Sequence, residues 1–345
     1  MELYRMLTMN IRHTIYTICQ SIKTMAIGSL LCLAVQSCRQ ETHPLIPEDP
    51  EEVPISMNAT SVEAMETSRA LITDDSELQA VGFGVYATKQ VASNNPVLVF
   101  NNVNVKYEAT EGWDYSPKRY WDRTATYNFE AYAPYSINES TSYVSLTNIL
   151  TISNIPYWQE IGNNTIDYLV ANSSGTAENY LSNATSTAVS FNFSHILSQF
   201  IVHIVKDGNF AHTKYQVKKV EYINVPASDG ETNYTNTSKF TDISGTSTIE
   251  RFSGENEVTQ TAADNTLPHL VVPFTLTDDK KVQVKVTYTV AGTERNKTVD
   301  TGITQLLAGK RYELTLTFKG AVIEPSLEIK KWEDVTVDED PKYNW

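Results

Sequence analysis

The sequence predicts an all-β protein built as two β-sandwiches in tandem, and three observations carry that prediction. Nineteen Tyr stand among abundant Thr and Val, residues that suit a pleated, half-buried surface. Apolar and polar residues alternate in short runs, which is the period of a strand with one face buried. Helix formers gather into no long stripe of period 3.6 beyond residue 60, so no amphipathic helix competes for the core. Turn clusters rich in Asn, Ser and Gly separate the runs at the spacing of a sandwich.

The first element is a leader. Arg5, Arg12 and Lys23 precede the apolar run Met25-Ala-Ile-Gly-Ser-Leu-Leu-Cys-Leu-Ala-Val35, which ends in Gln36-Ser37-Cys38. A positive region, an apolar run and a small residue at the cut describe an export signal. The run is shorter than the roughly 20 apolar residues a spanning helix needs. Cysteine directly after the cut matches a lipobox, in which the Cys38 thiol is diacylated and becomes the first mature residue. A plain secretory signal that happens to contain Cys38 is the alternative. Residues 1–37 are therefore assigned to a lipoprotein signal peptide. Residues 38–54 form a tether, since 39–54 hold four prolines and five acids, a composition that stays extended and solvated.

Strands follow. Ile55, Met57 and Ala59 alternate with polar residues, and Val81, Phe83 and Val85 alternate with Gly82, Gly84 and Tyr86 as a second strand. Val97, Val99, Val103, Val105 and Tyr107 continue the period, interrupted by Asn101-Asn102 as a turn or bulge. Tyr127, Phe129 and Ala131 lead into Pro134, which should end their strand. The polar stretch 171–188 is the expected domain boundary, giving sandwiches over 55–175 and 176–345. In the second, Val189 to Val205 reads as two strands joined by a helical turn at Ile196–Gln199. Val217–Val225, Leu270–Leu276, Val282–Val290, Arg311–Phe318, Leu327–Trp332 and Asp334–Val337 complete the set.

Charge and cysteine content exclude several functions. The chain carries −14, and removing residues 1–37, with Arg5, Arg12, Lys23 and Glu2, leaves about −16. So acidic a surface is wrong for nucleic acid, whose phosphates require clustered Lys and Arg, and for a basic lipid-binding patch. Cys19 and Cys32 lie in the leader, so Cys38 alone remains. That rules out an internal disulfide or a Cys-based zinc site in the mature chain.

Sites for chemistry are equally sparse. His195, His203 and His212 match no metal spacing, and His195 reads as a core histidine with a hydrogen-bond partner. No nucleophile elbow, P-loop or His-Glu-x-x-His occurs. Asp74-Asp75 and Asp278-Asp279 read as turns. No catalytic residue, metal or cofactor is expected. Trp113, Tyr115, Tyr120 and Trp121 are the candidates for contact with a ligand or partner; the competing reading is that they fill the first core and its rim.

The order of several motifs resembles that of the fimbrillin-like proteins of Bacteroidales, the subunits of type V pili. Trp113, Tyr120-Trp121 and Tyr127-Asn-Phe-Glu-Ala-Tyr-Ala-Pro134 resemble the first-domain signature. Asp167-Tyr-Leu-Val-Ala171 followed by Val189-Ser-Phe-Asn-Phe-Ser-His195 resembles the passage into the second domain. Leu307-Ala-Gly-Lys-Arg-Tyr312 and Ile329-Lys-Lys-Trp332 resemble the C-terminal end, and Thr67-Ser-Arg69-Ala70 a processing segment.

The resemblance implies two transthyretin-like domains, export as a lipoprotein to the outer membrane and cell surface, and assembly by protease-triggered strand exchange in a fimbrium. On it, cleavage falls between Arg69 and Ala70, residues 55–68 are the strand removed, and everything from Cys38 to Arg69 leaves with the lipid. The implied partners are other pilus subunits, the outer membrane through the lipid, and a host or bacterial surface receptor. Residues 333–345 are acidic and offer only Val335 and Val337 in alternation, which leaves stalk, anchor and tip positions open. A monomeric surface lipoprotein that binds glycan or host protein is the alternative function.

Overall fold

Alternation becomes strand wherever one face finds a core, and three cores form. The computed structural model describes residues 52–60, 71–182, 188–241, 243–277 and 279–332. Cys38, Arg69, Ala70, Asp278 and the Asp334–Val337 strand lie outside the described residues. In chain order the first strands are β1 (Met57–Thr60), β2 (Phe83–Val91), β3 (Val97–Glu108), β4 (Gly112–Asp114), β5 (Ala125–Ala133), β6 (Thr141–Val144), β7 (Ile149–Pro156), β8 (Trp158–Glu160), β9 (Leu169–Thr176), β10 (Val189–Asn192) and β11 (Ser194–His195). There follow β12 (Ser198–Lys206), β13 (Tyr215–Val225), β14 (Glu231–Thr235), β15 (Lys239–Phe240), β16 (Ser247–Glu257), β17 (Thr266–Val271), β18 (Phe274–Thr275), β19 (Gln283–Val290), β20 (Thr293–Asp300), β21 (Gln305–Leu306), β22 (Lys310–Lys319) and β23 (Val322–Lys331). The fold is an all-β sandwich.

The first core lies between the six-stranded sheet β11-β9-β5-β2-β3-β4 and the parallel pair β1-β10. Phe83, Val85, Phe100, Tyr127 and Phe129 face Met57, Ala59, Val189 and Phe191 across it. The second core lies between β23-β22-β12-β17-β8 and β16-β13-β19-β20. Strand β12 runs antiparallel to β17 and parallel to β22, which accounts for its nearly continuous apolar sequence. The third core joins the two sandwiches. It is made by Tyr86 and Tyr132 on the outer face of the six-stranded sheet, by Leu150, Ile152 and Tyr234 of β15-β14-β7-β6, and by Leu197, Leu270 and Trp332.

Several local expectations hold and several need correction. Strand β5 ends at Ala133 before Pro134, and β3 carries a bulge at Asn101-Asn102, with Asn102 in the left-handed region. Asp74-Asp75 begins a helix, α1 (Asp75–Val81), and not a simple turn. The Asp74 carboxylate accepts from the Glu77 N–H at 2.9 Å, an N-cap, and Gly82 ends the helix at φ 63°. Seven residues with one buried side chain, Leu78, are too few for a 3.6 period to register. Gly84 has a different reason for lacking a side chain: a Cβ there would stand 2.2 Å from the Tyr132 ring.

Ile196–Gln199 is not a helical turn. Ile196 and Leu197 form a buried link with a bend at Leu197, Ser198 and Gln199 already belong to β12, and the Ile196 N–H donates to the Tyr168 carbonyl at 3.0 Å. The polar stretch 171–188 is not a linker between sandwiches either. It contains most of β9, paired along its length with β5, and a short helix, α2 (Ala177–Leu181), closed by a Thr176–Asn179 capping box. Val189, Phe191 and Phe193 beyond it pack in the first core. Its polarity reflects side chains on the open face and edge of β9.

Where the sandwiches meet, one buried constellation ties distant segments together. The Asp167 carboxylate accepts from the Ile72 N–H at 3.0 Å and lies 2.9 Å from His195 Nδ1. The His195 ring stacks on Trp332 at 4.0 Å with 5° between planes. Trp332 N–H donates to the Gly309 carbonyl, Gly309 N–H to the Leu197 carbonyl, and the Ser198 hydroxyl to the Leu307 carbonyl. Removing the indole leaves a cavity at the junction, so Trp332→Ala should cost about 3–5 kcal/mol. Asp167→Asn, which keeps an acceptor for Ile72, should cost less than Asp167→Ala. Urea denaturation of the three variants checks this order.

Candidate functional site

The site begins with β1, because its two edges are held by different chemistry. On one edge β1 pairs in parallel with β10, placing Met57 opposite Val189, Ala59 opposite Phe191 and Thr60 opposite Asn192. The Val189 N–H donates to the Ser56 carbonyl and the Phe193 N–H to the Thr60 carbonyl. On the other edge side chains replace a neighbouring strand. The Tyr115 hydroxyl donates to the Ile55 carbonyl at 2.7 Å, and Trp113 Nε1 donates to the Ala59 carbonyl at 3.2 Å. Just upstream, the Ile55 N–H donates to the Arg119 carbonyl and the Trp121 N–H to the Val53 carbonyl.

Alternation then divides the side chains. Ile55, Met57 and Ala59 are buried in the first core, while Ser56, Asn58 and Thr60 face solvent. Burying apolar side chains of this kind stabilises by about 1.5–3 kcal/mol for each large one. A cleft of about 630 Å³ runs beside β1, lined by Asn58, Gln79, Tyr107, Trp113 and Lys118. Within the core, Phe83 makes edge contacts with Trp113, Phe191 and Phe193 at 4.9, 5.6 and 5.3 Å. Strand β1 thus caps an aromatic floor.

The four aromatic residues predicted as contacts separate. Tyr115 is buried against Phe100, and burial pushes its hydroxyl up to about 12, so it remains a donor at neutral pH. Trp113 is half-buried at the rim between Phe83 and Tyr107. Trp121 is buried and stacks on Tyr180. Tyr120 alone is exposed, at 47 %. Only Trp113 and Tyr115 grip β1 through side-chain atoms, a role that strand periodicity does not signal.

A second feature lies on the opposite face of the six-stranded sheet. A cleft of about 700 Å³ is lined by Glu130, Asn172, Ser194, Tyr234, Lys239 and Phe240, among others. Lys239 Nζ donates to the Tyr234 hydroxyl at 3.1 Å and the Asn236 carbonyl at 3.0 Å. Burial pushes the Glu130 carboxyl up to about 7, against a hydrogen bond with Asn236 and the charge of Lys239.

Three of the described histidines pack within the fold, while His212 is exposed. His195 belongs to the junction, and His203 Nδ1 lies 2.8 Å from the Thr266 hydroxyl. His269 is buried beside Tyr222 and Trp158, and burial, with the Arg251 charge, pushes it down to about 3. Among the described residues no group of His, Cys, Asp and Glu is placed to hold a metal ion. Nor is any described helix long and apolar enough to cross a membrane.

Two measurements check these assignments. Tyr115→Phe and Trp113→Phe should each destabilise by roughly 1–2 kcal/mol in a denaturant melt, since each leaves a carbonyl of the β1 edge without its donor. For Glu130 the folded state holds a proton that the unfolded chain releases near 4.5. Its contribution is therefore present at low pH and lost as pH rises from about 4.5 through 7. Stability measured across that interval should fall further for the unaltered chain than for Glu130→Gln.

Comparison with known proteins follows the same lines. Residues 68–332 match a family described as fimbrillin-like. A search of curated proteins finds no match. A fimbrial protein from Bacteroides vulgatus ATCC 8482 is 17% identical over 81% of this chain and 99% of that chain, with a TM-score of 0.51, a likeness of fold. A fimbrial assembly protein from Parabacteroides distasonis ATCC 8503 is 10% identical over 81% and 99%, with a TM-score of 0.42. A tip fimbrial protein from Porphyromonas gingivalis with C-terminal truncation is 10% identical over 73% and 94%, with a TM-score of 0.39.

Proposed function

The chain belongs to the fimbrillin-like family, and from that premise we propose that it is a subunit of a cell-surface pilus that joins its neighbour by strand exchange in the groove under β1. The observation that carries this reading is the way β1 is held. It is four residues long and pairs with one strand only, while Trp113 holds its Ala59 carbonyl on the other edge and Tyr115 holds the Ile55 carbonyl just upstream. Its departure would expose Phe191 and Phe83 together with a row of unpaired β10 backbone groups. An incoming strand satisfies both at once.

The position of Arg69 suits this role. Residues 61–70 connect β1 to Leu71 and Ile72, which are buried, and Ile72 is bonded through its N–H to Asp167. A cut between Arg69 and Ala70 would free the segment carrying β1 while the chain just downstream stays fixed at the junction. Cys38, diacylated, would tether the subunit to the outer membrane until that cut. In this reading the first sandwich extends through His195 and the second begins at Ser198. Trp113 and Tyr115 serve the groove, Trp121 serves its core, and Tyr120 is available to a neighbouring subunit or surface receptor. The second reading, a monomeric surface lipoprotein that binds glycan or host protein, draws on the Glu130 cleft.

Treatment with an arginine-specific protease should yield a new N-terminus at Ala70 and a ladder of heat-resistant oligomers on electrophoresis. Arg69→Ala should abolish both. A cleaved chain that stays monomeric and retains its first strand overturns the proposal, and retention of a glycan on an array by that monomer favours the second reading.

A further inference from the structure

Strand exchange, if it occurs in this groove as proposed above, is selective, and the selectivity is written in the three positions that β1 buries. Ile55, Met57 and Ala59 are 1, 5 and 6 % exposed. The carbonyls at positions 55 and 59 accept from Tyr115 and Trp113. Every residue except the chain end offers such a carbonyl, so these two donors fix where a strand sits without reading its sequence. The reading is done by the inward side chains. Position 59 stands opposite Phe191 in the register and belongs to the aromatic core, with only a methyl group filling it. We infer that the groove accepts a strand with two large apolar residues followed by a small one at alternate positions, parallel to β10, and that it rejects residues 333–339 of a second copy.

The exclusion of this segment follows from its sequence. Residues 333–341 read Glu-Asp-Val-Thr-Val-Asp-Glu-Asp-Pro, and Val335 and Val337 are the apolar residues in alternation. With Val335 at position 55 and Val337 at 57, Glu339 falls at 59. With the valines moved to 57 and 59, Glu333 falls at 55. Inserting just one valine also carries Glu333 or Glu339 inward, and reversing the strand changes nothing. Each arrangement turns a carboxylate inward to the apolar cluster that Ile55, Met57 and Ala59 now fill, a cost that two valines do not offset. The acidic segment is thereby kept out of the groove of its own kind, the repulsive half of specificity.

The test separates selection from exchange. In the full chain, one variant carries Ile55→Val, Ser56→Thr, Met57→Val and Asn58→Asp with Ala59 kept. A second adds Ala59→Glu, and a third adds Ala59→Gln. The first should melt within a few degrees of the unaltered chain, and the second lower than the first by on the order of 10 °C. The glutamine variant should fall between them. Equal melting of the first two overturns the inference.

Exchange is then read by adding fluorescent peptides with the sequences of residues 53–60 or 331–339 to chain cleaved after Arg69. The first peptide should bind roughly tenfold or more tightly than the second. Equal binding overturns the exclusion. Binding of neither, after β1 has demonstrably left, overturns strand exchange itself and the exclusion with it. The melting order would then stand as a property of the fold.

Discussion

The buried contact of Asp167 with His195, stacked on Trp332, is the constraint on which the rest of the molecule depends. Asp167 lies between β8 and β9, His195 ends β11 at the edge of the six-stranded sheet, and Trp332 follows β23. Three segments far apart in sequence therefore meet in one place out of water. A carboxylate so enclosed must be satisfied, and here both oxygens are used, one by His195 and one by the Ile72 N–H. Removing a partner leaves a buried polar group without its match, so the three segments are fixed as a set. The Leu307–Gly309 turn is drawn in by backbone bonds to Leu197 and Trp332 and by the Ser198 hydroxyl.

That junction lies on one face of the six-stranded sheet, and β1 lies on the other. Tyr86 and Tyr132 point into the third core, whereas Val85, Ala87, Phe129 and Ala131 of the same two strands point into the first. The period of two sends neighbouring residues to opposite faces, which separates the two jobs. Trp332 belongs to the third core and not to the one that β1 caps, and Ile72, bonded to Asp167, is the junction residue that reaches into the first core. The proposed exchange would therefore act on one face of the sheet and the Asp167–His195–Trp332 contact on the other.

Much of the fold was legible because strands with one buried face write their period into sequence. Tyr127, Phe129 and Ala131 on β5, and Val284, Val286 and Tyr288 on β19, are core residues at alternate positions. What escaped reading has physical causes. Strand β20, Thr-Glu-Arg-Asn-Lys-Thr-Val-Asp, has one buried residue and is strand because β19 pairs with it along its length. Strand β9 looks like a linker for the same reason, since beyond Ala171 its side chains gain little from burial while its backbone is held by β5. Helix α1 depends on caps at Asp74 and Gly82 more than on any apolar stripe. The junction was visible only as the resemblance of four short motifs in order, because nothing in local period ties Asp167 to Trp332.

The groove was legible in part. Ile55, Met57 and Ala59 announced a strand, but the donors that grip it came from residues whose bulk suggested core filling. A strand held on both edges by other strands is locked by a ladder whose bonds open together. Strand β1 has such a ladder on one edge only. On the other, a phenol and an indole each contribute one bond from a side chain that is itself anchored in the core, so they keep their geometry whatever strand lies beneath. Under the proposed exchange both donors would stay with the sheet when β1 left, and the same two atoms would meet the strand that replaced it. In that reading the aromatic floor favours refilling and the two donors set its register, because the parts that hold the strand belong to the sheet and not to the strand itself.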